Sequence, residues 1–347
     1  MSLAFSPSIV SLLMNSTIKR GNGSVLDRRL IRRRDAARNN SNRLSWWRQA
    51  LKPYLVNYDL YLLLIPGLIW YLLFRYLPIY GVQIAFKDFM PFKGIWDSPW
   101  VGFKHFERFF RSYYFWRLIR NTVGISIYTL TVEFPAAIIL ALMMNEVRSG
   151  AYKRVVQNVT YVPHFISVVV IVGMLSTFSN ARYGILNQIV ILFGGEPTYL
   201  LAKKELFKTL YVFSNAWQNT GWGAIIYMAA LAGINPNLYE AAVVDGASRF
   251  RQIIHISLPS ILPTIIILLI LRIGRILNLE FHKILLMQNP LNMETSDVIS
   301  TFVYRIGILE GNYSFSTAVG LFNAVLSLML LLLANRFAKR MSETSLW

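Results

Sequence analysis

Six long apolar runs divide the chain, near 57–79, 118–145, 155–179, 206–232, 259–281 and 313–336. A helix needs roughly 20 apolar residues to cross the hydrocarbon core of a bilayer. The pattern therefore predicts an all-α membrane protein with six transmembrane helices. The first run, YDLYLLLIPGLIWYLLFRYLPIYG, and the last, TAVGLFNAVLSLMLLLLANRF, are the clearest. The second carries Glu133-Phe134-Pro135, and the fifth carries Pro263, Arg272 and Arg275. Inside a bilayer such groups are tolerated only where they face other protein or a wet cavity.

Charge gives these helices a direction. Basic residues gather at one set of ends: the stretch before the first run, Arg148/Lys153/Arg154, Arg249/Arg251 and Arg336/Lys339/Arg340. The opposite ends carry mixed charge, at Lys87/Asp88, Asp97, Glu107/Arg108, Glu196 and Glu294/Asp297. The positive-inside rule then predicts cytoplasmic N and C termini, and the loop 240–259 on the same side. The expected organisation is a basic cytoplasmic tail over 1–54, a transmembrane domain over 55–340 and a cytoplasmic tail over 341–347.

Composition agrees with this picture. Only 15% of residues are charged, against about 25% in soluble domains. The net charge of +18 invites a nucleic-acid reading, but eleven basic residues lie in 19–52, just before the first run. Membrane orientation and anionic lipid at the cytoplasmic leaflet account for them, and no nucleic-acid-binding fold accompanies the charge. Ile9–Met14 is apolar but short and has no basic segment before it, so no secretory signal is expected. Trp46-Trp47 marks an amphipathic stretch suited to the membrane surface. The chain has no cysteine, and its four histidines (His105, His164, His255, His282) lack metal-ligand spacing. No metal site and no catalytic constellation are expected.

Several polar residues near the spans are candidates for a solute path. Arg272 and Arg275 are three apart, which puts them on one helix face, and Asn278, Glu280, His282 and Lys283 follow closely. This face either contacts an anionic oligosaccharide or pairs with acids such as Glu133 and Glu280, or with those of a neighbouring subunit. In the fourth run, Trp217 and Asn219 suit a sugar path, because ring faces stack on sugars and amides meet hydroxyls. Asn215 suits hydrogen bonding between helices instead. Between 80 and 116, Phe103, Phe106, Phe109-Phe110 and Tyr113-Tyr114 recur at helical spacing. They form either an interfacial aromatic helix or a set of rings for sugar stacking.

Residues 240–259 read EAAVVDGASRFRQIIHISLP. Glu240 suits a helix start, where the dipole favours a carboxylate. Ala241, Ala242 and Ala247 allow a close approach to another surface. Asp245-Gly246 bends or breaks the helix, and Leu258-Pro259 is expected to open the fifth span. The stretch resembles the EAA loop of the membrane subunits of ABC importers. From 55 onward the chain resembles the permeases of binding-protein-dependent carbohydrate importers. Leu277-Asn278, Phe281, Lys283, Asn289-Pro290-Leu291, Glu294-Thr295, Asp297-Val298-Ile299 and the ending Ser345-Leu346-Trp347 are similar to a subgroup that imports complex oligosaccharides. It departs from that pattern at Glu280 (usually Gly), His282 (usually an acid) and Ile253 (often aromatic).

The resemblance implies a type I importer permease in a bacterial inner membrane. It implies a heterodimer with a second six-helix permease, two ATP-binding subunits, an external solute-binding protein and an oligosaccharide substrate. The loop would dock on the ATPase through Glu240, Ala241, Ala242, Asp245, Gly246, Ala247, Leu258 and Pro259. No G-x-x-x-x-G-K-[ST] stretch is present, so ATP and Mg are expected on the partner and no cofactor in this chain. The alternatives are an ion-coupled secondary transporter, for which only Glu133 offers a buried acid, and a membrane-embedded enzyme.

Overall fold

The computed structural model describes residues 58–147 and 150–341. The expected basic tail, Trp46-Trp47, Arg148 and Ser345-Leu346-Trp347 lie outside the described residues. The chain divides into two units, 1–79 and 80–347. In the first, helix α1 (Tyr58–Tyr71) is apolar all round beyond Asp59 in its first turn and contains Pro66.

The regular structure of the second unit is helical, and among its described residues extended pairing is limited to isolated bridges such as Lys87 with Trp100. Its elements are α2 (Lys104–Phe110), α3 (Tyr114–Glu146), α4 (Ala151–Tyr161), α5 (Val168–Phe178), α6 (Ile185–Leu192), α7 (Phe207–Ala232) and α8 (Pro236–Val244). There follow α9 (Arg249–Gly274), α10 (Phe281–Met287), α11 (Ile299–Leu309) and α12 (Tyr313–Met341).

Among the described residues, four helices are long and apolar enough to cross a membrane: Tyr58–Phe86, Tyr114–Glu146, Arg249–Gly274 and Tyr313–Arg340. The third expected run is not one straight helix. α4, with its short continuation to Phe165, meets α5 at a bend of 100°. Pro163 starts a tight turn, Ile166 is extended, and Ser167 caps α5 by accepting from the Val170 amide at 3.4 Å. This pair counts as a fifth span if it is one broken helix. α7 matches the fourth run in extent but is less apolar, because Ser214, Asn215 and Gln218 are built into its buried face.

The fifth run also differs from expectation. α9 begins at Arg249, ten residues before Pro259, because Ser248 caps it. A π turn at Ile253–Ser257 carries the helix into Leu258-Pro259, so Pro259 continues a helix rather than opening one. α9 ends at Gly274, and Arg275 already lies past its last turn.

α3 and α7 pack through Ala137, Ala141 and Ala224. A Cβ on Gly223 would approach that of Ala137 to 3.3 Å. Small side chains at such a seam let helix backbones come close, which is how helices associate in lipid. At one end, Phe109 of α2 is fully buried against Phe115, Phe315 and Phe322. Phe109 is thus the one Phe, Tyr or Trp ring of the stretch Phe103–Trp116 that enters the core, joining α2 to α12, while Phe103, Phe110, Tyr113, Tyr114 and Trp116 remain exposed. Nearby, His105 is buried and bonds the Asp88 carboxylate at 3.0 Å. The Lys104 ammonium beside Asp88 holds that carboxyl below the usual carboxylate range.

Candidate functional site

Polar stripes at helical spacing meet inside the second unit. Ser126, Thr129 and Glu133 lie along α3, and Asn215, Asn219 and Trp222 lie along α7. Spacings of three, four and seven residues put each set on one face. With Arg272 at the end of α9 they enclose a cavity of about 330 Å³, within the range of small-molecule sites.

Five of the seven residues expected along a path line this cavity: Asn219, Arg272, Arg275, Asn278 and Glu280. Trp217 does not. It is two positions from Asn219, and such residues face apart on a helix. It borders a separate apolar recess with Phe178 and Phe213. His282 is also elsewhere, exposed in the first turn of α10 with its ring against Phe281. Trp222 and Tyr211 complete the wall. The i, i+4, i+7 series of Asn215, Asn219 and Trp222 was the signal that could have found Trp222.

The cavity is charge-balanced, with Glu133 and Glu280 against Arg272 and Arg275. Glu133 Oε2 accepts from Arg272 Nη2 at 2.5 Å and from Asn215 Nδ2 at 3.0 Å. Asn219 donates to Asn215 Oδ1 at 3.2 Å, and His164 Nδ1 lies 3.1 Å from Asn219 Oδ1. The His164 ring stacks on Trp222 with centroids 4.6 Å apart. A continuous polar chain therefore runs from α9 through α3 and α7 to the bend between α4 and α5. Lys283, fully buried, donates to Gln218 at 3.3 Å, and Gln218 donates to the Ile166 carbonyl at 3.2 Å. That second chain ends at the same bend.

The loop 236–259 is a helix-turn-helix. α8 begins at Pro236, with Asn235 accepting from the Asn237 amide at 3.0 Å. Glu240 thus sits mid-helix rather than at its start, because Asn235-Pro236 supplies the stronger start signal. The helix stops where expected. Gly246 takes φ +72°, a left-handed conformation suited to glycine, and the Ala247 amide closes on the Ala242 carbonyl at 2.8 Å. Glu240, Ala241, Asp245 and Gly246 are exposed, and Ala242 and Ala247 are partly so. Val243, Val244 and Phe250 are also exposed, Val244 by 88%. These apolar residues were not singled out in the sequence, although their run beside Glu240 was readable. The Tyr239 and Ser257 hydroxyls, 2.9 Å apart, tie α8 to the π turn of α9. Arg249 approaches Glu146, at the end of α3, to 4.0 Å.

A helical membrane domain with an interior polar cavity and an exposed helix-turn-helix at one end defines a solute permease. Residues 133–343 match the family described as the inner membrane component of binding-protein-dependent transport systems, and the chain belongs to that family. ATP hydrolysis in such systems is carried by separate subunits. The chain is 47% identical to protein LplB of Bacillus subtilis over 83% of its own length and 91% of that protein. It is 44% identical to the polygalacturonan/rhamnogalacturonan transport system permease protein YteP of the same organism, over 83% and 90%. It also superposes on a chain of a bacterial ABC transporter that imports the acidic polysaccharide alginate, with a TM-score of 0.78 and 42% identity, covering 85% of this chain and 99% of that one.

Proposed function

We propose that this protein is the permease subunit of an ATP-driven importer that moves an oligosaccharide, acidic in character, from a solute-binding protein into a bacterial cytoplasm. The relatives named for polygalacturonan, rhamnogalacturonan and alginate support the substrate class. The chain spans the inner membrane six times, with both termini cytoplasmic, and pairs with a second six-helix permease. Two ATPase copies carry the ATP and Mg.

One observation carries the mechanism: the exposed loop and the cavity occupy opposite ends of a single helix. α9 runs from Arg249 beside the loop to Arg272 in the cavity wall, roughly 35 Å at 1.5 Å per residue. A push on α8 reaches α9 through Tyr239 and Ser257 and arrives at the Arg272–Glu133 pair. Closure of the ATPase dimer would drive the docked loops together and open the cavity outward. The loaded binding protein would favour that state through its differential affinity. The path residues are Asn219, Arg272, Arg275, Asn278 and Glu280. The ATPase contacts are Glu240, Ala241, Ala242, Asp245, Gly246 and Ala247, with Leu258 and Pro259 carrying the motion into α9.

The test is ATPase activity of the reconstituted complex, with Glu240→Ala and Gly246→Pro compared with wild type. Loss of stimulation by loaded binding protein, with assembly intact, is the expected result. Unchanged stimulation in both variants would reject the loop as the coupling element.

A further inference from the structure

A second polar recess, of about 410 Å³, lies at the first turns of α3 and α7. Its wall holds three cations, Arg117, Arg120 and Lys208, and one carboxylate, Glu294. The carboxylate is already engaged, since Lys204 donates to it at 2.7 Å. That ammonium holds the Glu294 carboxyl below its usual range, so it stays charged and paired. Arg117 is bound to Asp297 at 2.9 Å, but Asp297 takes Arg305 at the same distance, so two guanidiniums share one carboxylate. Arg120 and Lys208 have no hydrogen-bond or ion-pair partner among the described residues. Their like charges act on each other.

Two aromatic rings edge this recess. Trp116 is 76% exposed and Tyr113 85% exposed, although the neighbouring Phe109 is fully buried. Large rings left bare beside unpaired cations form a surface with an apolar face and anion donors. The face of a sugar ring and a carboxylate on its edge have the matching chemistry.

The position is equally informative. The recess involves Arg117, Arg120 and Asn121 of α3 and Lys208 of α7, while the polar cavity involves Ser126 to Glu133 and Tyr211 to Gly223 of the same two helices. Advancing about ten residues on either helix leads from one to the other, roughly 15 Å. The recess lies at the end of α3 away from Glu146 and the exposed loop. In the orientation given under Proposed function, on which this inference rests, that end is outside. Clustered cations are not favoured there by the positive-inside rule, and the central cavity is itself neutral.

We infer that this recess is an entry subsite for a carboxylate-bearing sugar unit, held by Arg120 and Lys208 with its ring face on Trp116, one step outside the central cavity. Acid selection then occurs at the mouth, and the balanced cavity below handles the chain largely through hydroxyl contacts.

The chain has no cysteine, so a single Thr295→Cys in the recess wall reports on it directly. The assembled complex is placed in phosphatidylcholine nanodiscs, and labelling by a negatively charged methanethiosulfonate is timed. Trigalacturonate is expected to slow labelling and a neutral trisaccharide of equal length is not. Adding Arg120→Gln or Lys208→Gln is expected to weaken the protection about tenfold, as loss of one charge-assisted hydrogen bond would. Stimulation of the ATPase by loaded binding protein is expected to remain. Equal protection by the neutral sugar, or none by trigalacturonate, overturns the proposal. Protection by anionic lipid alone assigns the recess to headgroups and also overturns it. Loss of ATPase stimulation with protection unchanged assigns it to binding-protein docking, with the same consequence. The permease reading is tested separately by Glu240→Ala and Gly246→Pro, which do not touch the recess.

Discussion

Arg272 Nη2 and Glu133 Oε2 lie 2.5 Å apart and join α9 to α3 inside the polar cavity. The Glu133 side chain is 7% exposed and that of Arg272 43%, so the carboxylate depends on its partner more than the guanidinium does. Arg272→Gln is expected to destabilise the assembled complex by about 1–3 kcal/mol, less than a fully buried pair because of the exposed arginine. Glu133→Gln should cost less, since Asn215 and water can still serve the amide. Thermal unfolding of both singles and the double variant gives the coupling energy. Strict additivity would mean the two side chains act independently.

Gly221 of α7 faces the end of α4. A Cβ there would fall on the Thr160 carbonyl, a backbone atom that cannot swing aside. Gly221→Ala should therefore cost about 1–3 kcal/mol and shift the bend that holds His164. Gly173→Ala, on α5 with open space around it, should be neutral or stabilising by up to about 1 kcal/mol. Melting of the purified complex would separate the two. Equal stability would show that α4 yields at no cost.

The residues most legible in the sequence were those whose role is set by local chemistry. Apolar runs located the long helices, and Asp245-Gly246 located the end of α8. The polar cavity was partly legible, because Arg272, Arg275, Asn278, Glu280 and Asn219 stood out against apolar surroundings. Trp217 and Asn219 suit a sugar path by their chemistry alone, but two positions apart on a helix they face different ways, and only Asn219 reaches the cavity. The bend at 162–167 was hidden inside a run apolar enough to read as one helix. Its cause, Pro163 followed by the Ser167 cap, was present but outweighed by composition. The start of α9 was misjudged because Leu258-Pro259 is a strong local signal, while the capping Ser248 and the π turn depend on how the loop closes.

Asp297 is fully buried and accepts from both Arg117 and Arg305 on Oδ2, each at 2.9 Å. One carboxylate thus fastens the first turn of α3 to α11. Asp297→Asn leaves two guanidiniums facing a neutral amide and should cost about 3–5 kcal/mol, as removal of one partner from a buried ion pair does. Arg117→Gln should cost clearly less, because Arg305 still holds the carboxylate. Limited proteolysis between 288 and 298, with the melting temperature, would test the order. If Arg117→Gln proved as damaging as Asp297→Asn, the carboxylate would not be the shared anchor.

The Tyr239 hydroxyl meets Ser257 at 2.9 Å, and Ser257 is fully buried in the π turn of α9. Tyr239→Phe removes this tie while keeping the ring, at a stability cost of about 0.5–1.5 kcal/mol. Basal ATPase activity and assembly should therefore survive, because the face of α8 offered to the ATPase is unchanged. Stimulation by loaded binding protein should fall, because motion of α8 no longer reaches α9 through a fixed joint. Ser257→Ala should behave alike, and the double variant no worse than either single. Val244→Asp makes the opposite case. Its side chain is 88% exposed, so the fold should be untouched, while retention of the ATPase on purification should drop. Should Tyr239→Phe release the ATPase as Val244→Asp does, Tyr239 would belong to the docking face and the path of force into α9 would have to run elsewhere.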